Sequence, residues 1–208
     1  MSPQNKTHQN LFILIYLNEI VPLSPELKLF LANKIKRTVF TKNEIINKEG
    51  EICNKLYVIK KGLVRGYFNS GNIDVTTWIS FDNEIFTSIT GFFKNEKARE
   101  NIQCLEDTHC EYLEYQDFQY CLRNFPEMRE INRIMMVEYY IHAENRAFIT
   151  RIPSAQKRLK YFLKNTDPKM VERIPKKYLA SFLTMRPETL SRIINDHGEV
   201  LKSNIGQN

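Results

Sequence analysis

Residues 174–195 read IPKKYLASFLTMRPETLSRIIN, and this stretch predicts two short helices joined by a tight turn. Four apolar side chains of the first helix recur with helical spacing: Tyr178, Leu179, Phe182 and Leu183. Pro187 suits the first turn of the second helix, where its missing N–H needs no partner. Three apolar side chains lie on the inner face of that second helix: Leu190, Ile193 and Ile194. Small Ala180 in the first helix then allows the two helices to approach closely.

This spacing is typical of a helix-turn-helix motif. With Lys176 at the first position, the places that the motif buries are all apolar: Leu179, Leu183, Met185, Leu190 and Ile193. The outer face of the second helix has side chains that can hydrogen-bond to base edges in a major groove: Arg186, Glu188, Thr189, Ser191 and Arg192. The pattern favours DNA binding, and an ordinary helical hairpin with a solvated polar face is the alternative.

Two residues depart from the usual motif. The turn commonly has a glycine in the left-handed conformation, and Thr184 stands there at a cost of about 1 kcal/mol. A serine commonly caps the second helix before the proline, and Arg186 is a poor cap in that place. Both departures predict a second helix that is less firmly fixed than usual.

The net charge of the chain is concentrated in the segment that contains this motif. Residues 151–208 have 12 Lys and Arg against 5 Asp and Glu, a net charge of +7, whereas residues 1–150 have 18 against 19, a net charge of −1. A concentrated basic segment indicates contact with phosphates. On composition alone, RNA or a membrane surface would also fit.

The cysteines and the N-terminal residues indicate a cytoplasmic protein. The four cysteines have no C-x-x-C spacing and predict free thiols in a reducing compartment: Cys53, Cys104, Cys110 and Cys121. The apolar run at residues 11–17 is too short to span a bilayer, and it lacks the flanks of a signal peptide. We therefore expect no contact with a membrane.

Residues 10–37 have the patterns of helices, and residues 38–114 have the patterns of short strands. Residues 10–20 and 24–37 predict helices, the second with Ser24 as cap and Pro25 in its first turn. From residue 38, short apolar runs between turn signals predict a sandwich or barrel. The expected strands are at residues 44–47, 55–60, 63–68, 75–79, 101–105 and 109–114. Gly71 supplies a positive φ in a hairpin turn.

The C-terminal half of the chain predicts several helices before the motif. Residues 115–124 predict a short helix, residues 126–152 a long one and residues 155–165 a basic amphipathic one, followed by a loop at residues 167–168. The long helix has a coiled-coil-like spacing of 3, 4, 3 and 4 at Ile134, Val137, Ile141, Glu144 and Phe148. This spacing favours a dimer seam, although Glu144 weakens it and a single buried helix is the alternative.

This order of elements resembles the cyclic-AMP receptor protein and Fnr (Crp/Fnr) family of bacterial transcription regulators over residues 20–195. The stretches that carry the resemblance are residues 56–65 (LYVIKKGLVR), 102–113, 155–158, 177–180 (KYLA) and 187–192 (PETLSR). The final stretch is most similar to the Bacteroidetes branch of the family.

The resemblance implies an α+β chain with three parts. Residues 1–125 would form N-terminal helices and a cyclic-nucleotide-binding-type β-barrel, a double-stranded β-helix that acts as a sensor. Residues 126–152 would form a long dimerisation helix and a hinge, and residues 153–208 a helix-turn-helix DNA-binding domain. Residues 198–208 are short and polar, so we expect a winged-helix type with a reduced wing.

The resemblance also assigns roles in DNA binding. Arg186, Glu188, Ser191 and Arg192 would read bases, since Arg can donate twice to guanine and Glu can accept from cytosine. Lys176, Lys177 and Thr189 would bind phosphates and set the register. The implied partners are double-stranded DNA with a palindromic operator and a second copy of the chain. RNA polymerase and an unidentified small-molecule effector are further candidates.

The ligand side departs from the family pattern. Family members that bind cyclic nucleotide have Gly-Glu and then Arg-Ser or Arg-Thr, where the Arg binds the cyclic phosphate. Here Thr87-Ser88 and Glu100-Asn101 occupy those places, with Arg99 one residue away. An acid would repel the phosphate. We expect a degenerate pocket that binds another small molecule or nothing, and no cyclic nucleotide, iron–sulfur cluster, haem or metal.

Two other classes of function compete with a DNA-binding transcription regulator. Thr184, Arg186 and the short C-terminus would also fit a ligand-binding or protein-interaction module with a degenerate helix-turn-helix. An enzyme is not expected, because the sequence has no catalytic Ser/His/Asp set, phosphate loop or H-E-x-x-H motif.

Overall fold

The computed structural model of the protein describes residues 11–203, with side chains up to Asp196. Two helices come first, α1 (Phe12–Ile20) and α2 (Pro25–Lys34). Eight strands follow: β1 (Lys36–Phe40), β2 (Ile45–Asn47), β3 (Lys55–Lys61), β4 (Leu63–Ser70), β5 (Ile73–Phe81), β6 (Ile85–Phe86), β7 (Asn101–Cys104) and β8 (Thr108–Glu114). A short helix, α3 (Ile89–Phe93), lies between β6 and β7.

After β8, the described chain consists of helices and the short segments that join them. Its elements are α4 (Tyr115–Asn124), α5 (Pro126–Arg151), α6 (Ala155–Lys164), α7 (Pro168–Arg173), α8 (Lys176–Phe182) and α9 (Pro187–Ser203). Several helices begin as the sequence predicted. Ser24 accepts a hydrogen bond from the Leu27 N–H at the start of α2, and Ser154 caps α6 in the same way.

The strands form two antiparallel sheets of four strands each. One sheet has the order β1-β8-β3-β6 and the other β2-β7-β4-β5. The strand pattern predicted a sandwich or a barrel, and the structure has the sandwich, so the β-barrel that the resemblance implied was wrong. Among the described strands, hydrogen bonds do not join the two sheets, and the short strands β2 and β6 lie at their edges. The result is a sandwich of two sheets, each of which has two edge strands.

Between the sheets lies an apolar core. It is formed by buried side chains from both sheets: Tyr57, Ile59, Val64, Phe86, Ile102, Cys104 and Cys110. Gly66 in β4 is required for this packing, because a Cβ there would lie 2.2 Å from the indole nitrogen of Trp78 in β5. The Trp78 ring therefore lies directly over the Gly66 backbone.

Several local predictions differ from the structure. The helix expected at residues 24–37 ends at Lys34, because Ile35 is extended and residues 36–40 pair with β8. Neither α3 nor α7 was predicted, since each is shorter than the two turns needed to show a helical period. The left-handed conformation expected at Gly71 is confirmed by its φ of 62°.

The helices complete the core on two sides of the sandwich. On one side, α1, α2, α4 and the first turns of α5 pack together around Leu27, Leu31, Phe118 and Ile131, which are fully buried. On the other side, α6 to α9 pack with Leu63, Leu105 and Ile149 into a second cluster. The C-terminal helices are thus in contact with the sandwich and with the end of the long helix.

Candidate nucleic-acid interface and ligand cavity

Helices α8 and α9 pack through the apolar faces that the sequence predicted. Leu179, Leu183, Leu190 and Ile193 are buried between them, and Met185 in the turn is half-buried. Ala180 is fully buried, as expected where two helices approach closely. The predicted first face is completed by Tyr178, which is buried, and by the half-buried Phe182, whose ring contacts Phe162 edge-on.

The turn between the two helices has the left-handed residue that the sequence predicted. Thr184 has a φ of 53°. Its N–H donates to the Ser181 carbonyl at 3.0 Å, and the Met185 N–H donates to the Ala180 carbonyl at 3.0 Å. These two bonds satisfy carbonyls at the end of α8 and turn the chain sharply into α9.

Arg158 in α6 holds this turn from outside. Its guanidinium donates to the carbonyls of Leu183 at 2.8 Å and Thr184 at 3.3 Å. It also donates to the carbonyls of Ile152 at 2.7 Å and Pro153 at 3.2 Å, in the segment that joins α5 to α6. One side chain therefore ties the hinge to the turn. The sequence analysis did not predict this role. It used residues 155–158 only as one of the stretches that carry the family resemblance.

The residues expected to contact DNA lie on an accessible surface. Lys176 and Lys177 are exposed at the start of α8, and the Lys177 ammonium lies 4.4 Å from the centre of the Tyr178 ring. The first turns of α9 carry the other candidates, of which Arg186, Glu188 and Arg192 are exposed and Thr189 and Ser191 half-buried. The structure thus brings all seven candidates to α8, the turn and the N-terminal half of α9.

The second helix is longer than the sequence suggested. It was expected to end at Asn195, and α9 continues to Ser203. Residues 198–203, which were assigned to a reduced wing, are helical, and no strand occurs in the described residues after β8. Residues 198–203 therefore do not form the reduced wing that was expected within residues 198–208, and residues 204–208 lie outside the described structure.

Three of the candidate ligand residues form hydrogen bonds with nearby parts of the protein. The Thr87 hydroxyl donates to the Lys55 carbonyl at 2.9 Å, and the Ser88 hydroxyl caps α3 by accepting from the Gly91 N–H. Asn101 accepts from the Glu49 N–H at 3.0 Å, while its amide nitrogen is buried without a hydrogen bond. Arg99 is exposed.

Glu100 is bound by two neighbours in β5. The Trp78 indole N–H donates to one carboxylate oxygen at 2.8 Å, and the Thr77 hydroxyl donates to the other at 2.8 Å. Of the five candidate ligand residues, Thr87 lines the large cavity described next, and the other four do not. The predicted ligand residues are therefore not gathered around one common cavity.

A cavity of about 690 Å³ lies where the sandwich, the long helix and the C-terminal helices meet. Its walls are mainly apolar and include Trp78, Phe81, Met135 and Phe162. The polar side chains around it include Glu84, Glu138, His142, Asn145, Arg146 and Asp167. This volume is in the range of sites that bind small organic molecules.

Glu84 is the ionisable group most affected by this environment. Burial raises the pKa of its carboxyl to about 7, against the lowering influence of the Ser80 hydroxyl, the Phe81 N–H and the Arg146 charge. A carboxyl with this pKa holds its proton at mildly acidic pH and can then donate a hydrogen bond into the cavity. Nothing in the sequence alone marked Glu84.

The predicted dimer seam is exposed along much of its length. Val137, Ile141 and Phe148 are 47%, 42% and 53% exposed. Ile134 is half-buried and lines the cavity, and the Phe148 ring packs against Tyr161 at 5.2 Å between centroids. Glu144 is exposed as well. In a single chain, three of the four apolar seam residues thus remain largely open to solvent.

The four cysteines are buried as free thiols. Burial raises the pKa of Cys104 to about 11 and the pKa values of Cys110 and Cys121 to about 12. Thiols held in the protonated form are poor metal ligands. Among the described residues, no group of three or more His, Cys, Asp and Glu side chains is arranged to hold a metal ion.

Comparisons with known proteins agree with this architecture. Residues 37–125 match the family model of the cyclic nucleotide-binding domain. A search of curated protein sequences gives no significant match. Across residues 11–203, no helix combines the length and the apolar character needed to cross a membrane.

Solved structures of bacterial proteins share the fold over most of the chain. FixK2 from Bradyrhizobium japonicum is 17% identical with a TM-score of 0.71, over 80% of this chain and 85% of that one. A protein described as a transcriptional regulator of the crp/fnr family, from Eubacterium rectale, is 16% identical with a TM-score of 0.68, over 86% and 85%. The c-di-GMP-responsive global regulator CLP of Xanthomonas campestris is 11% identical with a TM-score of 0.66, over 85% and 93%. At these identities the similarity shows the fold alone.

Proposed function

We propose that this protein is a homodimeric, sequence-specific DNA-binding transcription regulator of the Crp/Fnr type, and that α8 and α9 form its helix-turn-helix. The observation that carries the proposal is the surface of this helix pair. Its apolar faces are buried against each other, while the exposed side of α9 presents Arg186, Glu188 and Arg192. This surface lies in the segment with a net charge of +7.

The chemistry of this surface fits the major groove of DNA. The first turns of α9 would enter the groove, where Arg192 can donate to a guanine edge and Glu188 can accept from a cytosine amino group. Ser191 and Arg186 would contact neighbouring bases. Lys176, Lys177 and Thr189 would bind phosphates, which fix the register of the helix but do not specify sequence.

A homodimer would double this surface. The exposed apolar side chains of α5, Val137, Ile141 and Phe148, support a seam between two long helices, because large apolar side chains at regular spacing favour burial against a partner. Two-fold symmetry would then present two copies of α9 to successive major grooves, about 34 Å apart. The matching DNA site is palindromic.

The cavity is the best candidate for an effector site. It is bounded by the sandwich, α5, α6 and α8, so a ligand there would contact both the sensor part and the proposed DNA-binding part. We infer that the effector is an apolar small molecule and not a cyclic nucleotide, because Glu100 places a carboxylate where the phosphate of a cyclic nucleotide needs a cation. An iron–sulfur cluster or haem is not part of the proposal, and neither is a catalytic activity.

The remaining elements of the proposal follow from this function. A regulator of this type would act in the cytoplasm and would contact RNA polymerase at its promoters. The alternative is a ligand-binding or protein-interaction module whose helix pair does not bind DNA.

The experiment is selection of bound fragments from a random pool of duplex DNA by the purified full-length protein. We expect recovery of a palindromic sequence with half-sites about one helical turn apart. Binding of the selected site should fall steeply with salt, because phosphate contacts release counterions. Recovery of no enriched sequence, together with salt-independent binding, would support the alternative module instead.

A further inference from the structure

Arg65 in β4 is the most completely buried charged side chain in the sandwich, at 1% exposure. Its guanidinium lies between two aromatic rings, 4.2 Å from the centre of Tyr67 in the same strand and 3.7 Å from the centre of Tyr178 in α8. A desolvated guanidinium stacked on a ring in this way is strongly attracted to it. The contact therefore joins a strand of the sandwich to the first helix of the proposed helix-turn-helix.

The side chains to which Arg65 donates hydrogen bonds all lie in its own sheet. The guanidinium donates twice to the Gln103 side chain, at 3.0 and 2.8 Å, and to the Thr76 hydroxyl at 3.1 Å. It forms an ion pair with Asp74 at 2.6 Å. Since these partners fix the plane of the guanidinium, the face offered to Tyr178 is held in one orientation.

Ser181, one turn after Tyr178, forms a second contact with the same sheet. Its hydroxyl accepts from the Thr76 N–H at 2.9 Å and donates to the Asp74 carbonyl at 3.2 Å. Strand β5 is an edge strand, so its outer backbone groups have no neighbouring strand to pair with. Ser181 satisfies two of these groups and attaches α8 to the edge of the sheet.

Arg173 in α7 forms a third contact. Its guanidinium forms ion pairs with Asp82 at 2.7 Å and with Glu106, and it donates to the Gly62 carbonyl at 2.8 Å. Asp82 and Glu106 lie in loops of the sandwich. The segment before α8 is therefore bound to the sandwich as well, and the three contacts together fix the position of α8.

The position of α8 determines the position of α9. The two helices share the buried side chains of Leu179, Leu183, Leu190 and Ile193, so they move as one body. In this arrangement Arg186, Glu188 and Arg192 remain exposed, and nothing in the described chain covers the reading face. The contact between α8 and the sandwich is therefore compatible with DNA binding.

We propose that the Arg65–Tyr178 stack and the Ser181 bridge to β5 are positioning contacts, by which the sensor sandwich holds the reading helix α9 at the angle and spacing that the two DNA half-sites require. This inference rests on the proposed function. It makes Tyr178 and Ser181 determinants of half-site spacing, although neither would touch DNA. A ligand that moves β5 would change DNA affinity through these two residues.

The test compares Tyr178→Leu with Tyr178→Phe in the full-length protein. Leucine fills the apolar site but removes the ring face that Arg65 stacks on, whereas phenylalanine keeps the ring. A third variant, Ser181→Ala, removes the bridge to β5 with a minimal change in volume. Each protein is measured for dimerisation by light scattering, for folding by circular dichroism and for affinity to selected sites whose two half-sites are separated by different spacers.

We expect Tyr178→Leu to bind the best site about thirtyfold more weakly, the size expected for loss of a desolvated cation–π contact. It should also tolerate spacers that are one or two base pairs longer or shorter, with its base preference within each half-site unchanged. Ser181→Ala should also bind more weakly and tolerate more spacer lengths. Tyr178→Phe should behave as the wild type.

Three results would overturn the inference. If Tyr178→Leu and Ser181→Ala keep the wild-type affinity and spacing, the contacts do not position α9. If either binds DNA more tightly, the contacts hold the helix pair in an inactive position instead. If Tyr178→Leu unfolds and Ser181→Ala has wild-type binding, the contact is structural only. If the wild-type protein binds no DNA, the proposed function fails first, which separates the two failures.

Discussion

The indole N–H of Trp78 donates a 2.8 Å hydrogen bond to the carboxylate of Glu100. This pair joins β5 to the residue that precedes β7, and the half-buried Trp78 ring lies over Gly66 and packs against the apolar core of the sandwich. The two donors from β5 hold the Glu100 carboxylate in a fixed place. Its negative charge would oppose a bound phosphate.

The first prediction is that cyclic nucleotides do not stabilise the protein. Thermal melts with millimolar cyclic AMP or cyclic GMP should show almost no change in Tm. A ligand at 100 times its Kd would add about 2.7 kcal/mol, which would be easily seen. Noncyclic adenosine monophosphate serves as the control for nonspecific effects. A saturable rise in Tm with either cyclic nucleotide would contradict the role of Glu100.

The second prediction concerns the reading face of α9. Arg192→Ala should lower affinity for the selected site by about 1–3 kcal/mol and relax preference at one base pair of each half-site. Lys177→Ala should weaken binding to all DNA sequences alike and make the affinity less dependent on salt concentration. Arg123→Ala, an exposed residue of α4 far along the chain from this surface, is the control. An Arg192→Ala protein with unchanged base preference would show that another face of α9 reads DNA.

The third prediction concerns the seam on α5. Ile141→Lys should give a folded monomer that binds the palindromic site weakly, because a charge cannot be buried between two long helices without a partner. Thr150→Lys is the matched control, since it is exposed and lies nine residues on, about half a turn out of phase with Ile141. Light scattering and a gel shift measure both effects. A dimeric Ile141→Lys protein with normal binding would move the interface elsewhere.

The fourth prediction concerns the strained turn. Thr184→Gly should raise the free energy of unfolding by up to about 1 kcal/mol, because glycine adopts the φ of 53° without steric cost and this relief exceeds the entropy it loses. Thr189→Gly makes the same substitution in the first turn of α9 and should lower the free energy of unfolding by a few tenths of a kcal/mol. Urea unfolding midpoints give both values. Equal destabilisation by the two substitutions would mean that Thr184 is not strained.

The fifth prediction concerns Glu84 and pH. The unfolded carboxyl loses its proton near its ordinary pKa of 4.5, whereas the buried carboxyl holds it up to about pH 7. The folded state therefore binds the extra proton in this window, and stability falls as pH rises from 4.5 to about 7. Glu84→Gln should remove this part of the pH dependence, and Glu138→Gln at the rim of the same cavity should not. Identical pH profiles for wild type and Glu84→Gln would contradict the raised pKa.

Much of the chain was determined by local sequence. Several helices begin at a serine cap or a proline, as at Ser24 and Pro25, because a serine side chain accepts from an N–H that the helix leaves free and proline has no such N–H. The buried faces of α8 and α9 followed from apolar spacing, and the positive φ of Thr184 followed from its place in the turn. These features depend on neighbours within a few residues, which the sequence displays directly.

Tertiary structure alone decided the features that join distant residues. Residues far apart in sequence come together in the two open sheets, in the cavity around Glu84, in the bonds from Arg158 to the carbonyls of Leu183 and Thr184, and in the stack of Arg65 on Tyr178. Arg65 and Tyr178 are 113 positions apart, and each alone is an unremarkable residue of a strand or helix. Their energy comes from desolvation and mutual orientation, which exist only once the two surfaces pack together. The sequence by itself determined the longer helices, most of the strands and the apolar faces of α8 and α9. Packing decided the short helices α3 and α7, and it decided which charges became contacts between the sandwich and the C-terminal helices.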